Sequence, residues 1–184
     1  MQHSGRISGA TKLIGLIGSP VQNSGSPKIH NAVFEHLGLD YAYIAFDVDN
    51  DRLEDTVRGM AAMGFLGYNV TTPCKTFVLP FLDEVSEAAE IMGAVNTVVI
   101  QDGRSLGDNA DGAAFMRNQV LNGVDIRGKK ITVMGAGGAG SALVTQAALD
   151  GVAEIDIFNR KDEFFTGAEE LIERLKDHSP CKVV

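Results

Sequence analysis

An α/β fold in two parts is predicted by two observations. From Leu13 onward, short apolar stretches alternate with amphipathic ones, the pattern of strands joined by helices. Later in the chain, Gly135-Ala136-Gly137-Gly138-Ala139-Gly140 stands between the apolar run Lys130 to Met134 and the alanine-rich stretch Ser141 to Asp150, where the dinucleotide-binding turn of a Rossmann fold belongs. Gly135 would turn the strand sharply, Gly137 would let backbone amides approach a pyrophosphate, and Gly140 would let the helix lie close on the strand. The helix N-terminus adds unpaired amides and the positive end of its dipole, so the motif and the helix form one anion site. The expected architecture is an N-terminal α/β domain at residues 1–112, followed by the first part of a Rossmann NAD(P)-binding domain at 113–184.

The elements follow in order. Leu13 to Gly18 reads as a strand, and Ser26-Pro27 opens a helix to about Leu37, with Ser26 as N-cap and Pro27 as first helical residue. Ile29, Val33, Phe34 and Leu37 would form its buried face, and Gly38 its stop. Tyr41 to Val48 is a strand, Arg52 to Met63 an amphipathic helix, and Gly67 to Val70 a short strand opening into Thr71-Thr72-Pro73-Cys74-Lys75. A helix near Asp83 to Met92 precedes the strand Ala94 to Ile100, which Asp102-Gly103 turns into another. The helix Asp111 to Asn122 would lead into the nucleotide fold, where Glu154 to Phe158 is the second strand. Its polar tip, Asn159-Arg160-Lys161-Asp162, is where an adenosine ribose would lie. Met60, Met63 and Met92 are expected to fill core gaps.

Composition narrows the partners. With 184 residues, 45% of them hydrophobic, the chain can build a packed core. A net charge of −8 gives nucleic acid no broad surface to hold. Cys74 and Cys181 lie far apart without the spacing of a zinc site or redox pair, so a reduced, cytoplasmic setting is the expectation. No apolar run reaches the roughly 18 residues of a membrane span, and Met1 to Lys12 lacks the apolar segment of a signal peptide. His30, His36 and His178 have no ligand-like spacing, so no metal is assigned.

Five tracts carry a resemblance: Gly15-Leu16-Ile17-Gly18-Ser19-Pro20, Asn23-Ser24-Gly25-Ser26-Pro27, Asn69-Val70-Thr71-Thr72-Pro73-Cys74-Lys75, Gly93-Ala94-Val95-Asn96-Thr97 and Gly107-Asp108-Asn109-Ala110-Asp111-Gly112. In this order, they resemble the successive motifs of the shikimate dehydrogenase family. The tract Asn159 to Phe165 looks like the branch that oxidises both quinate and shikimate, whereas Asn69-Val70-Thr71 resembles the shikimate-only branch.

The resemblance implies an NAD- or NADP-dependent oxidoreductase that interconverts shikimate, or quinate, and its 3-dehydro ketone in aromatic amino-acid biosynthesis. By that likeness Lys75 and Asp111 are the catalytic pair, since oxidising an alcohol needs a group to take the hydroxyl proton. Read alone, Lys75 is a solvated surface lysine and Asp111 a helix N-cap. Ser24 and Ser26 match the serines that hold a substrate carboxylate, and Thr71 and Asn96 match residues that bind ring hydroxyls. An asparagine at a strand end can instead simply bond backbone. Gly135, Ala136, Gly137, Gly138, Ala139 and Gly140, with Asn159, Arg160, Lys161 and Asp162, would bind the cofactor.

Asn23, Gly25, Ala110 and Gly140 depart from the family's usual residues, and Gly25 loosens the serine loop. After Phe158 only one helix, about Thr166 to Asp177, and a strand beginning at Lys182 are expected. The second mononucleotide half is thus expected to be absent, which would leave the 184-residue chain inactive by itself. The open strand edge permits a homodimer. A ligand-binding relative without turnover and a different Rossmann oxidoreductase are the alternatives.

Overall fold

The structure is a computed structural model and describes residues 7–161 and 165–184. Two compact units form: the first comprises residues up to Glu84 with Asn96–Gly107, the second Val85–Val95 with Asp108–Val184.

The first unit begins with β1 (Lys12–Gly18), whose last four residues are buried, followed by α1 (Ser26–Leu37) and β2 (Tyr41–Asp47). Next along the chain come α2 (Leu53–Ala62), β3 (Gly67–Val70), β4 (Glu84–Val85), α3 (Glu87–Met92), which belongs to the second unit, β5 (Thr97–Gln101) and β6 (Arg104–Asp108). The six strands form one sheet in the order β2-β1-β3-β5-β6-β4. β1 runs parallel to both β2 and β3, whereas β5 is antiparallel to β3. The near-continuous apolar run of β1 suits a central parallel strand. Asp102 and Gly103, with φ of 52° and 76°, make the left-handed turn between β5 and β6, which suits strands of right-handed twist.

Three expectations for this region need correction. α1 buries no residue, and Ile29 and Leu37 of the expected apolar face are 64% and 62% exposed. Its contact face is polar and aromatic instead. The Asn31 side chain donates to the Tyr43 carbonyl at 2.9 Å and accepts from the Tyr43 amide at 2.8 Å, His30 stacks on the Tyr43 ring, and Phe34 meets Tyr41 edge-on. β2 is an edge strand, and Asn31 satisfies backbone groups that no neighbouring strand takes. Second, the helix expected from Asp83 begins only at Glu87, because Ser86 is its N-cap and accepts from the Ala89 amide. Asp83 is drawn away by Ser105, whose amide and hydroxyl donate to Asp83 Oδ2 at 2.7 and 2.8 Å. Third, Met63 is exposed, although Met60 and Met92 are buried as expected.

The second unit continues with α4 (Asp111–Leu121), β7 (Lys130–Met134), α5 (Gly138–Leu149), β8 (Glu154–Phe158), α6 (Phe165–Lys176) and β9 (Lys182–Val183). β7, β8 and β9 pair in parallel in that order. Ile91, Met116, Val144, Ala147, Ile155, Leu171 and Leu175 share one core. α3 belongs here rather than with residues 1–112 because Ile91 enters that core and Arg174 Nε donates to the Ile91 carbonyl at 2.9 Å. Among the described residues, no helix is long and apolar enough to cross a membrane.

Candidate active site

In the first unit the parallel strands β2, β1 and β3 end at a common edge, and the carboxyl ends of parallel strands are where open α/β sheets bind ligands. The loops leaving β1 and β3 are joined there: the Ser19 amide donates to the Thr72 carbonyl and the Thr71 amide to the Ile17 carbonyl, each at 2.9 Å. Gly18, at φ +154°, makes this approach possible, since a Cβ there would stand 2.4 Å from Thr71 Cγ2 and 2.7 Å from the Thr72 carbonyl oxygen. Because β5 is antiparallel to β3, the residue before it returns to the same edge, and the Val70 amide donates to the Asn96 carbonyl at 2.9 Å. Ser24, Thr71, Lys75 and Asn96 therefore stand on the connections around one sheet edge, where Ser26 opens α1.

Each has its own local cause. Ser24 Oγ accepts from the Ser26 amide at 3.3 Å, closing the serine loop on itself. Ser26 is not the N-cap: Gly25 holds that position, no side chain caps the helix, and Ser26 is the first helical residue. Its hydroxyl instead hydrogen-bonds the Tyr43 phenol, and burial pushes that phenol's pKa up to about 12. The Thr71 carbonyl accepts from the Cys74 amide at 2.9 Å, which turns the chain into a single 3-10 turn, Cys74–Thr76. Cys74 is fully buried there and its thiol donates to the Val48 carbonyl, so the backbone on which half-buried Lys75 stands is anchored from inside. Burial, with the Asp49 carboxylate, pushes the Cys74 thiol up and keeps it neutral. Asn96 uses its backbone carbonyl for the sheet, while its side-chain Oδ1 accepts from Thr97 Oγ1 at 2.9 Å.

The second unit carries Asp111 and the glycine motif. Asp111 is the first residue of α4 rather than its N-cap, which is Ala110. Asn109, buried and overlooked in the sequence as a role-bearing residue, accepts from the Asp111 amide at 3.0 Å and donates to the Ala94 carbonyl at 2.9 Å. An asparagine two residues before an acidic helix start was the available signal. Gly112 brings α4 onto α5, since a Cβ there would meet the Ala142 carbonyl oxygen at 2.4 Å.

The glycines divide their work as their positions suggest. Gly135 turns the chain at φ +95°, and its amide donates to the Phe158 carbonyl. A Cβ on Gly140 would stand 2.0 Å from the Gly135 carbonyl oxygen, whereas one on Gly137 would meet nothing within 4 Å. α5 starts three residues earlier than the alanine-rich stretch suggested, at Gly138, with Gly137 as an N-cap that has no side-chain cap. Gly138, Ala139 and Gly140 are thus its first turn, and Ala136 is buried just before it. Asn159 Oδ1 accepts from the Ala136 amide at 3.4 Å, tying the tip of β8 to the glycine loop. Its Nδ2 is buried and has no hydrogen-bond partner among the described residues. An orphaned donor, open space above Gly137 and an uncapped helix N-terminus together fit a bound dinucleotide pyrophosphate. Arg160 and Lys161 are exposed beyond Asn159, and Asp162 lies outside the described residues.

The chain is similar to known proteins. Residues 16–98 match the shikimate dehydrogenase substrate binding domain. The chain is 51% identical over 177 residues to a shikimate dehydrogenase (NADP(+)) of Listeria monocytogenes serotype 4b, covering 96% of this chain and 61% of that relative. It therefore spans about three fifths of the length of the curated relatives it matches. A crystal structure of shikimate 5-dehydrogenase from Listeria monocytogenes, in complex with shikimate and NAD, superposes with a TM-score of 0.90 at 51% identity, covering 97% of this chain and 62% of that one. The ligand-free 5-ketofructose reductase of Gluconobacter sp. strain CHM43 does so with a TM-score of 0.82 at 34% identity, covering 96% and 62%.

Proposed function

We propose, from the premise that this chain belongs to the shikimate dehydrogenase family, that it carries the substrate-binding, proton-transfer and pyrophosphate-binding residues of an NAD(P)-dependent oxidoreductase interconverting shikimate and its 3-dehydro ketone. The observation that carries the reading is the gathering of Ser24, Ser26, Thr71, Lys75 and Asn96 at one sheet edge by the bonds joining the ends of β1, β3 and β5.

The two serine hydroxyls and the N-terminal turn of α1 hold the substrate carboxylate. Thr71 and Asn96 hydrogen-bond ring hydroxyls. Lys75 takes the proton of the reacting hydroxyl at Nζ and returns it in the reverse direction, and the family likeness gives Asp111 a part in the same chemistry. Gly135 to Gly140 and the first turn of α5 would hold the pyrophosphate, and Asn159, Arg160 and Lys161 would serve the adenosine ribose, a role the sequence also offers to Asp162, outside the described residues. When bound, the nicotinamide supplies the hydride acceptor. The family relatives are named for NADP(+), and one related structure holds NAD, which supports use of either cofactor. Quinate, which also carries a carboxylate and ring hydroxyls, is a second substrate for the same residues.

The test is shikimate- and quinate-dependent reduction of NAD and NADP. Lys75→Ala should lower kcat by about 100-fold or more with KM little changed, as loss of a positioned proton-transfer group does. Asp111→Asn should harm both constants. Measured in a protein of the relatives' length that carries this chain, wild-type turnover in Lys75→Ala removes Lys75 from the mechanism, and shikimate binding without turnover on either cofactor would favour the ligand-binding reading.

A further inference from the structure

A row of hydrogen bonds runs beneath the first unit's site, and its polarity is determined throughout. The Asn96 backbone carbonyl can only accept, and it faces Asn69 at 3.2 Å, so the Asn69 atom there is Nδ2. Asn69 Oδ1 consequently faces the Tyr43 phenol, which must donate to it, at 2.7 Å. Asn69 Nδ2 also donates to Thr97 Oγ1 at 3.2 Å, which leaves the Thr97 proton for Asn96 Oδ1 at 2.9 Å. The Asn96 side chain is thereby oriented with its oxygen toward Thr97 and its Nδ2 turned the other way. At the far end Tyr43 is 3% exposed, its ring stacked on His30 at 4.3 Å and its backbone bonded twice by Asn31. A rigid, buried donor therefore starts the row and a candidate ligand-binding amide ends it.

We propose that Tyr43 is a positioning residue for Asn96: acting through Asn69 and Thr97, it sets the Asn96 amide so that the site offers Nδ2, a donor, to a substrate oxygen. A donor at that place serves a hydroxyl and a carbonyl oxygen equally, as a reversible alcohol–ketone interconversion requires. The inference rests on the proposed assignment of Asn96 to substrate, but the orientation itself is measurable without any ligand. Ser26 also touches the Tyr43 phenol, so the test must separate the two routes.

Tyr43→Phe keeps the ring and removes the first donor. The side-chain amide resonances of Asn69 and Asn96 should both move in Tyr43→Phe, that of Asn96 by way of Asn69 and Thr97. Thr97→Val should move the Asn96 amide in the same way, and Thr97→Ser should restore it. In calorimetric titration with shikimate, Tyr43→Phe should weaken binding about 3- to 10-fold, the factor expected of one hydrogen bond. That loss should persist on a Ser26→Ala background and vanish on an Asn96→Ala background. An Asn96 amide unmoved in both Tyr43→Phe and Thr97→Val overturns the proposal, as does a loss of binding that vanishes with Ser26 rather than with Asn96. A wild-type chain that takes no shikimate would defeat the proposed function, and the amide resonances would still decide the role of Tyr43.

Discussion

Gly140→Ala and Gly137→Ala exchange the same atoms three residues apart and should have opposite consequences. A methyl on residue 140 would stand 2.0 Å from the Gly135 carbonyl oxygen, so the first turn of α5 and the loop must separate by more than about 1 Å to reach ordinary contact. The loop cannot yield freely. It is pinned by the Gly135 amide on the Phe158 carbonyl at 2.8 Å, the Ala136 amide on Asn159 and Ser141 Oγ on the Ala136 carbonyl at 3.0 Å. Overpacking of this kind costs about 1–3 kcal/mol, and the better helix propensity of alanine offsets up to about 1 kcal/mol. A net loss of about 1–2 kcal/mol corresponds to a melting temperature lower by roughly 2–8 °C for a chain of this size. Residue 137 has φ −69° and ψ −179°, which alanine adopts without strain, and no atom lies within 4 Å of its Cβ position. Gly137→Ala should therefore melt within about 0.5 kcal/mol of wild type and should instead weaken NADP binding, because the methyl occupies the space a pyrophosphate needs. Thermal unfolding followed by circular dichroism, with NADP titration of each folded variant, reads both outcomes. A Gly140→Ala protein as stable as wild type, or a Gly137→Ala protein with undiminished cofactor affinity, would refute the division of labour between the two glycines.

Two further outcomes follow from buried hydrogen bonds. Asn109→Ala strips partners from the Ala94 carbonyl and the Asp111 amide at a buried position and should cost about 2 kcal/mol in urea unfolding, and Asn109→Asp should cost no less at neutral pH, because it keeps the acceptor for Asp111 but sets a buried carboxylate against the Ala94 carbonyl. Ser105→Ala removes the side-chain donor that, together with the Ser105 amide, holds the Asp83 carboxyl below its ordinary range. A carboxyl depressed in the folded state stabilises above its unfolded pKa, near 4, and loses that contribution as pH falls through the folded value. The stability gap between wild type and Ser105→Ala should thus be widest at neutral pH and shrink on acidification; a gap independent of pH would show that Asp83 is not the partner that matters.

How much could be read from the chain varies with the range of the interaction that decides each feature. β3 and β8 have their expected limits, Gly67–Val70 and Glu154–Phe158, because a short apolar run between turn residues is a local signal. Gly135 and Gly140 were legible for the same reason: a positive φ at Gly135 and close approach at Gly140 are demands of the backbone that few residues can meet. The placement of candidate residues on loops followed from the order of motifs, and Ser24, Thr71, Lys75 and Asn96 stand at the sheet edge.

Tertiary structure decided what depends on partners distant in sequence. The face that α1 turns to the sheet is set by Tyr43, whose backbone lies on an open edge and is satisfied by Asn31, so the aliphatic stripe Ile29-Val33-Leu37 faces outward against its own periodicity. Asp83 left the expected helix for a serine 22 positions away. α3 joined the second unit because Ile91 finds its core and Arg174 there, 83 positions downstream in the latter case. The orientation of the Asn96 amide is set through Tyr43, Asn69 and Thr97, residues whose hydrogen-bonding types are visible in the sequence but whose adjacency exists only once β2, β1, β3 and β5 lie side by side. By itself, then, the sequence determined most of the strands, the turns and the identity of the candidate groups, but not β4, which lies in an expected helix, since backbone constraint and periodicity act over a few residues. Which buried donor meets which acceptor was decided by the fold, because a desolvated polar group takes whichever partner packing brings within about 3 Å, however far along the chain that partner lies.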